Sequence, residues 1–302
     1  MLSRSVFFIA MLAAFPVLAA TPINETRPLD ATGQVHISNV KGSIIVRTWN
    51  KPEVRITGSL GKGVEKLEID SDPSSIDIEV KFPNNSSGWN LWGRSGNQME
   101  PTILEVTIPQ RASLDIESVS ANVDVQQMAG RKLSVASVSA PIVVTASSPG
   151  QAEFENVSGD ITLRITSADV EASSVSGDVK LGGGLNGQVD LETVSGNITL
   201  LAQPLSKLNA NSVSGDLDLK AGLKPGGAIN IESLSGEVGL KLLRNSGARV
   251  HVETFSGGIH SPSGKVHEEE HGPGKSLDTT LGDGRGQINV ESFSGDVRIT
   301  LE

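Results

Sequence analysis

The sequence predicts an all-β chain wound as a parallel β-solenoid (β-helix) with coils of about 19 residues. Three observations predict this. A short phrase recurs at a near-constant interval, apolar residues alternate with period two on both sides of it, and the composition favours short strands and turns over a ring-filled core. Glycine supplies 33 of 302 residues and aromatics only 3%.

The phrase appears as Ser118-Val-Ser-Ala121, Ser137-Val-Ser-Ala140, Asn156-Val-Ser-Gly159, Ser174-Val-Ser-Gly177, Thr193-Val-Ser-Gly196, Ser212-Val-Ser-Gly215, Ser233-Leu-Ser-Gly236, Thr254-Phe-Ser-Gly257 and Ser292-Phe-Ser-Gly295. Successive second serines are separated by 19, 19, 18, 19, 19, 21, 21 and 38 residues. The last step is double the first, so one repeat is expected to have been overwritten between Ser256 and Ser294. An earlier divergent copy is Asn39-Val-Lys-Gly42.

Around Ser195, the residues Val189, Leu191, Val194, Ile198 and Leu200 are apolar, and mostly polar residues separate them. The same five offsets are apolar in all ten copies apart from Ser261. Each copy therefore reads as two strands bent at the phrase, followed by a link that often carries one more apolar residue, such as Met128, Leu185 or Leu205. A unit this short cannot bury its apolar side alone. Stacking in register gives each strand a parallel neighbour about 4.8 Å away and merges the apolar sides into one column. The turn glycine is expected to serve a positive φ. An antiparallel sandwich shares the alternation and is the competing architecture.

Three segments follow in chain order. Residues 1–20 read as a signal peptide: Arg4 is followed by the apolar run Val6 to Leu18 and the small residues Ala19 and Ala20. An uncleaved N-terminal anchor is the alternative. Residues 21–111 read as irregular N-terminal coils and a cap, with strand candidates at Val35 to Val40, Ser43 to Thr48, Val54 to Thr57, Lys66 to Ile69, Ile76 to Lys81 and Leu104 to Ile108. Residues 112–302 read as regular repeats, interrupted by an insertion at about 261–284.

The Val-Ser-Gly-Asp-Ile/Val phrases, Leu104-Glu-Val-Thr-Ile-Pro109 before the regular repeats, and Leu281-Gly-Asp-Gly284 followed by Glu291-Ser-Phe-Ser-Gly-Asp296 resemble the bacterial putative-adhesin family of exported β-strand-repeat proteins. The resemblance spans about Gln34 to Glu302. It implies a domain of unknown function and brings no catalytic residues with it.

Composition excludes several chemistries. A net charge of -10 argues against nucleic acid as a partner, because that affinity rests on basic side chains. With no cysteine the chain offers no thiolate for metal, redox or nucleophilic chemistry. No later stretch reaches the roughly 20 apolar residues of a membrane helix, so an integral membrane protein is not expected.

His267-Glu-Glu-Glu-His271 matches H-E-x-x-H, which places two imidazoles on one helical face around zinc. Flanking Pro262, Gly264, Gly272, Pro273 and Gly274 oppose a helix, so His267 and His271 are only weak metal candidates, with His251 and His260 nearby. The post-glycine column Asp160, Asp178, Asn197, Asp216, Glu237, Gly258 and Asp296 is expected to make turn hydrogen bonds rather than bind calcium. The serine row reads as a hydroxyl ladder, not as nucleophiles. Trp89 and Trp92 are candidate partner contacts or a cap over the first coil.

The sequence thus points to a non-enzymatic exported scaffold or adhesin-like binding protein, in the periplasm or at the cell surface, with no catalytic residues, cofactor or assigned metal. Its expected partner is an envelope protein or polysaccharide, bound through outward Thr, Ser, Asp and Asn rows. The alternative is a polysaccharide-degrading β-helix enzyme, although neither an adjacent Asp-Asp pair nor a Gly-His-Gly segment is present.

Overall fold

A computed structural model describes residues 21–82, 99–270 and 272–302. The leader 1–20, Trp89, Trp92 and His271 lie outside the described residues. Those described form 23 strands and no helix, so the chain is all-β.

Most strands pair in parallel with the strand one repeat away. Val189 lies between Val170 and Leu208, and Ile198 between Val179 and Leu217. Each repeat is thus a rung with one strand before the phrase and one after it, named here by its second serine. Val189, Leu191, Ile198, Leu200 and the link residue Leu205 are all buried, and their counterparts continue one apolar column through the stack. Phe154 is the largest fully buried side chain in that column. Short aliphatic residues suit it because rungs repeat every ~4.8 Å and leave little axial room for rings.

Chain order and spatial order part at the C-terminal end. Strand Gly286–Ser294 is paired on one side with Ala228 to Ser235 and on the other with Ala248–Ser256. Strand Val297–Leu301 likewise separates Val238–Leu242 from Ile259–His260. The Ser294 rung therefore sits between the Ser235 and Ser256 rungs. The 38-residue step marks an excursion rather than an overwritten rung in line. After Ser256 the chain forms Lys275–Leu281, antiparallel to Ala248–Ser256 and flanked by the short strand His267–Glu268, then returns to fill the place it had skipped.

The N-terminal end uses the same device. Gln34–Trp49 is a complete rung between Ser113–Gln126 inside and the pair Ser75–Lys81 and Thr102–Pro109 outside. The outer pair is covered by antiparallel strands: Lys66–Ser71 on Ser75–Lys81, and Glu53–Leu60 on Thr102–Pro109, with Thr21–Pro28 beyond it. All six strand candidates of this region are present. Thr21–Pro28 was not foreseen, because prolines at both ends mask it; Pro22 and Pro28 are tolerated on an edge, where no donor is needed outward. Antiparallel ribbons at the two ends cover backbone that would otherwise template pairing with another chain.

Candidate binding groove

Period-two geometry determines what the phrase presents. Counting from Leu191 inward, Glu192 points out, Thr193 in and Val194 out. The buried small polar residue holds the turn: the Gly196 amide donates to Thr193 Oγ1 at 2.9 Å, Gly177 to Ser174 Oγ at 2.9 Å, and Gly159 to Asn156 Oδ1 at 3.0 Å. The apolar residue of the phrase is consequently not a core residue. Val119, Val138, Val157, Val175, Val194, Val213, Leu234, Phe293 and Phe255 form one exposed ladder in that spatial order, between 42% and 53% accessible. Phe293 and Phe255 stack with ring centroids 4.9 Å apart and 8° between planes.

On most rungs the turn glycine has a different origin from the expected one. A Cβ on Gly196 would lie 2.0 Å from the Gly177 carbonyl oxygen, and one on Gly215 would lie 2.0 Å from that of Gly196. Close stacking of successive turns, not backbone handedness, favours glycine on these rungs, while Ala121 and Ala140 take the same place on the first two regular rungs. Positive φ does occur at Gly42 (123°) of the divergent first copy, and also at the return rung's inner neighbour and the return rung itself, Gly236 (130°) and Gly295 (146°). The Gly236 and Gly295 amides donate across to Ser294 O and Ser256 O, both at 3.2 Å, and the buried Ser233 Oγ is left without a partner.

A groove of about 1370 Å³ follows this corner from Val40 to Phe255, between the apolar ladder and a row of carboxylates. In spatial order that row reads Glu117, Ala136, Glu155, Ser173, Glu192, Asn211, Glu232, Glu291 and Glu253, so over the first seven rungs a glutamate stands on every second one. The antiparallel cap closes the far end with Glu269 and Lys275. Lys275 is the one basic residue lining the groove among the described residues.

The remaining candidates stand elsewhere. Most side chains of the post-glycine column accept the amide of their counterpart on the next rung: Asp160 from Asp178, Asp178 from Asn197, Asn197 from Asp216, Asp216 from Glu237, and Asp296 from Gly258, at 2.7–3.0 Å, whereas Glu237 makes no such bond among the described residues. The bond from Asn197 lowers the Asp178 pKa below its ordinary value, since it favours the charged form. Gly258 belongs to the last rung of that row and has no later amide to receive. The serine ladder is present at Ser120 and Ser139, whose hydroxyls lie 3.0 Å apart. His267 is exposed in a strand, so the helical premise of H-E-x-x-H does not hold at that residue. Among the described residues, no group of three or more His, Cys, Asp or Glu side chains could hold a metal ion. His251 bonds Asp278 at 2.8 Å and Glu253 at 3.1 Å, and the Asp278 bond raises its pKa while tying the outermost rung to its cap. Among the described residues no helix is long and apolar enough to cross a membrane.

The structure brings together residues that the outward Thr, Ser, Asp and Asn rows did not suggest. The signal was available, because the alternation that puts Leu191 inside also puts Val194 outside.

No curated protein matches the chain. Among solved structures it is similar to a putative adhesin of Parabacteroides merdae ATCC 43184, at 12% identity and TM-score 0.49, over 74% of this chain and 89% of that one. It is similar also to a putative lipid binding protein of Parabacteroides distasonis ATCC 8503, at 14% identity and TM-score 0.47, over 92% and 96% of the two chains. The family model described as Toastrack DUF4097 matches residues 50–300, most of the chain, and the protein belongs to that family.

Proposed function

We propose that the protein is a non-enzymatic β-solenoid, exported by its leader, that works as an adhesin-like binding scaffold in the cell envelope. The observation that carries this reading is the exposed apolar ladder with its groove. A contiguous apolar strip along a surface is a mark of an interaction site, whereas isolated apolar residues on a surface need no explanation. The strip costs solubility on every rung, and packing does not call for it, since the column inside is complete without it.

The polysaccharide-degrading alternative needs two carboxylates converging on one glycosidic bond. The groove glutamates stand in single file along one wall, on alternate rungs up to Glu232, and only Glu232, Glu291 and Glu253 fall on consecutive rungs, where the alternative would have to act. The test is in-cell photo-crosslinking from a reactive side chain at Val194, with the exposed outer-strand position Thr199 as control. Adducts concentrated at Val194 are expected; equal or absent adducts there would sink the reading. Sugar products released from a polysaccharide panel, and lost on Glu291→Gln, would establish the enzyme instead.

A further inference from the structure

We propose that the groove takes a segment of another polypeptide in the polyproline II conformation, with a cationic side chain at every third residue. The proposal rests on the binding reading above and adds the class of ligand.

Charge comes first. Glutamates line one wall and a single lysine stands at the capped end. Glu117, Glu155, Glu232 and Glu291 have no cationic partner among the described residues. A second copy would bring its own glutamate row, on a chain of net charge -10, against this one. An anionic membrane surface is disfavoured in the same way. The occupant that complements the groove is apolar on one side and cationic on the other.

Backbone availability comes next. Along the ladder each valine carbonyl already accepts an amide from the next rung: Val119 from Ser139, Val138 from Ser158, Val157 from Ser176, Val175 from Ser195 and Val194 from Ser214, at 2.8–2.9 Å. The valine amides are spent in the opposite direction, as in Val194 to Ser174 O at 3.2 Å. An incoming β-strand finds no free edge to extend. A polyproline II segment needs none, because its recognition is carried by side-chain contacts.

Spacing decides between extended conformers. Glutamates on alternate rungs recur every ~9.6 Å, twice the inter-strand distance. A polyproline II helix returns to the same face after three residues, about 9.3 Å. An extended strand returns after about 6.8 Å and falls out of step within two rungs. One cation every third residue therefore meets Glu117, Glu155, Glu192 and Glu232 in turn, with apolar residues laid on the valines. The stacked Phe293 and Phe255 enlarge the apolar strip at the capped end.

The experiment measures fluorescence anisotropy of a labelled repeated Lys-Pro-Val peptide titrated with the protein. Three comparison probes are a repeated Glu-Pro-Val peptide, a peptide of identical composition with its lysines grouped, and anionic phosphatidylglycerol vesicles. Lys-Pro-Val is expected to bind, more weakly as salt rises, and the Glu-Pro-Val peptide and vesicles not to bind. Grouping the lysines is expected to weaken binding about tenfold, as is Glu155→Gln with Glu192→Gln and Glu232→Gln, or Val157→Ser with Val175→Ser and Val194→Ser. These side chains are exposed, so circular dichroism and melting should stay as in the parent protein. Equal binding of the grouped peptide, indifference to either triple variant, preference for vesicles, or a second copy occupying the groove in sedimentation would each overturn the proposal. Crosslinks from Val194 to a glycan would overturn it too while leaving the binding reading intact, so the two fail separately.

Discussion

Replacing Leu191 with aspartate is expected to cost about 4 kcal/mol or more, enough to unfold a domain of ordinary stability, while Val194→Asp changes stability by less than about 0.5 kcal/mol. The two positions are three residues apart and both are aliphatic. Leu191 is fully buried in the column between Ala172 and Ala210, so its replacement loses apolar burial and puts a carboxyl where no polar partner stands. Val194 is 43% exposed and its backbone, not its side chain, holds the corner. Denaturant midpoints of the two variants make the comparison. Equal losses would mean that the phrase residue is a core residue and that no open ladder exists.

The second large effect concerns the stacking of turns. Gly196→Val is expected to destabilise the protein by about 3 kcal/mol, and Gly182→Val by less than about 0.5 kcal/mol. A Cβ at Gly196 would press to 2.0 Å against the Gly177 carbonyl, and relief requires parting two rungs whose backbones are hydrogen bonded along their length. At Gly182 the nearest atom is 3.7 Å away, the Leu201 carbonyl oxygen, an ordinary contact on an open strand face. Urea melts decide it, and a Gly196 variant as stable as the Gly182 one would show that the rungs are not packed as closely as described.

Much of the fold was legible because the repeat carries its own register. Period-two alternation over Val189 to Leu200 marks both strands of a rung and their buried faces, while Asp178, expected to bond within its turn, accepts from Asn197 on the next rung. Two features of the phrase are less legible. Val194 shares the apolar offsets of the core residues, yet the alternation, carried through the small polar Thr193 that folds inward to hold the turn, puts it outside. Positive φ accounts for the turn glycine at Gly42, Gly236 and Gly295, whereas at Gly196 and Gly215 the neighbouring rung, invisible in any single copy, is what crowds a Cβ.

The order of the last rungs was hidden for a different reason. A step of 38 residues fits an overwritten rung and an outward excursion equally, since both double the repeat length. Only Gly258 hinted at the answer: the row that supplies an acceptor to the next rung ends there, as it must on a terminal rung. The groove followed from neither motif nor composition, because it exists only when the phrases are stacked and their alternate glutamates fall in line.

The absence of native cysteine makes the arrangement of the ladder directly measurable. Paired cysteines replacing Leu234 and Phe293, or Phe293 and Phe255, stand on adjacent rungs, with Cα atoms about 5 Å apart and within disulfide reach. The pair replacing Leu234 and Phe255 stands two rungs apart, about 9.6 Å, beyond it. Mild oxidation of the folded protein is predicted to close the first two pairs and leave the third open, with every ladder thiol reactive toward maleimide beforehand. Ready closure of the Leu234 and Phe255 pair, or thiols shielded from maleimide in the native state, would contradict the outward ladder and its rung order together.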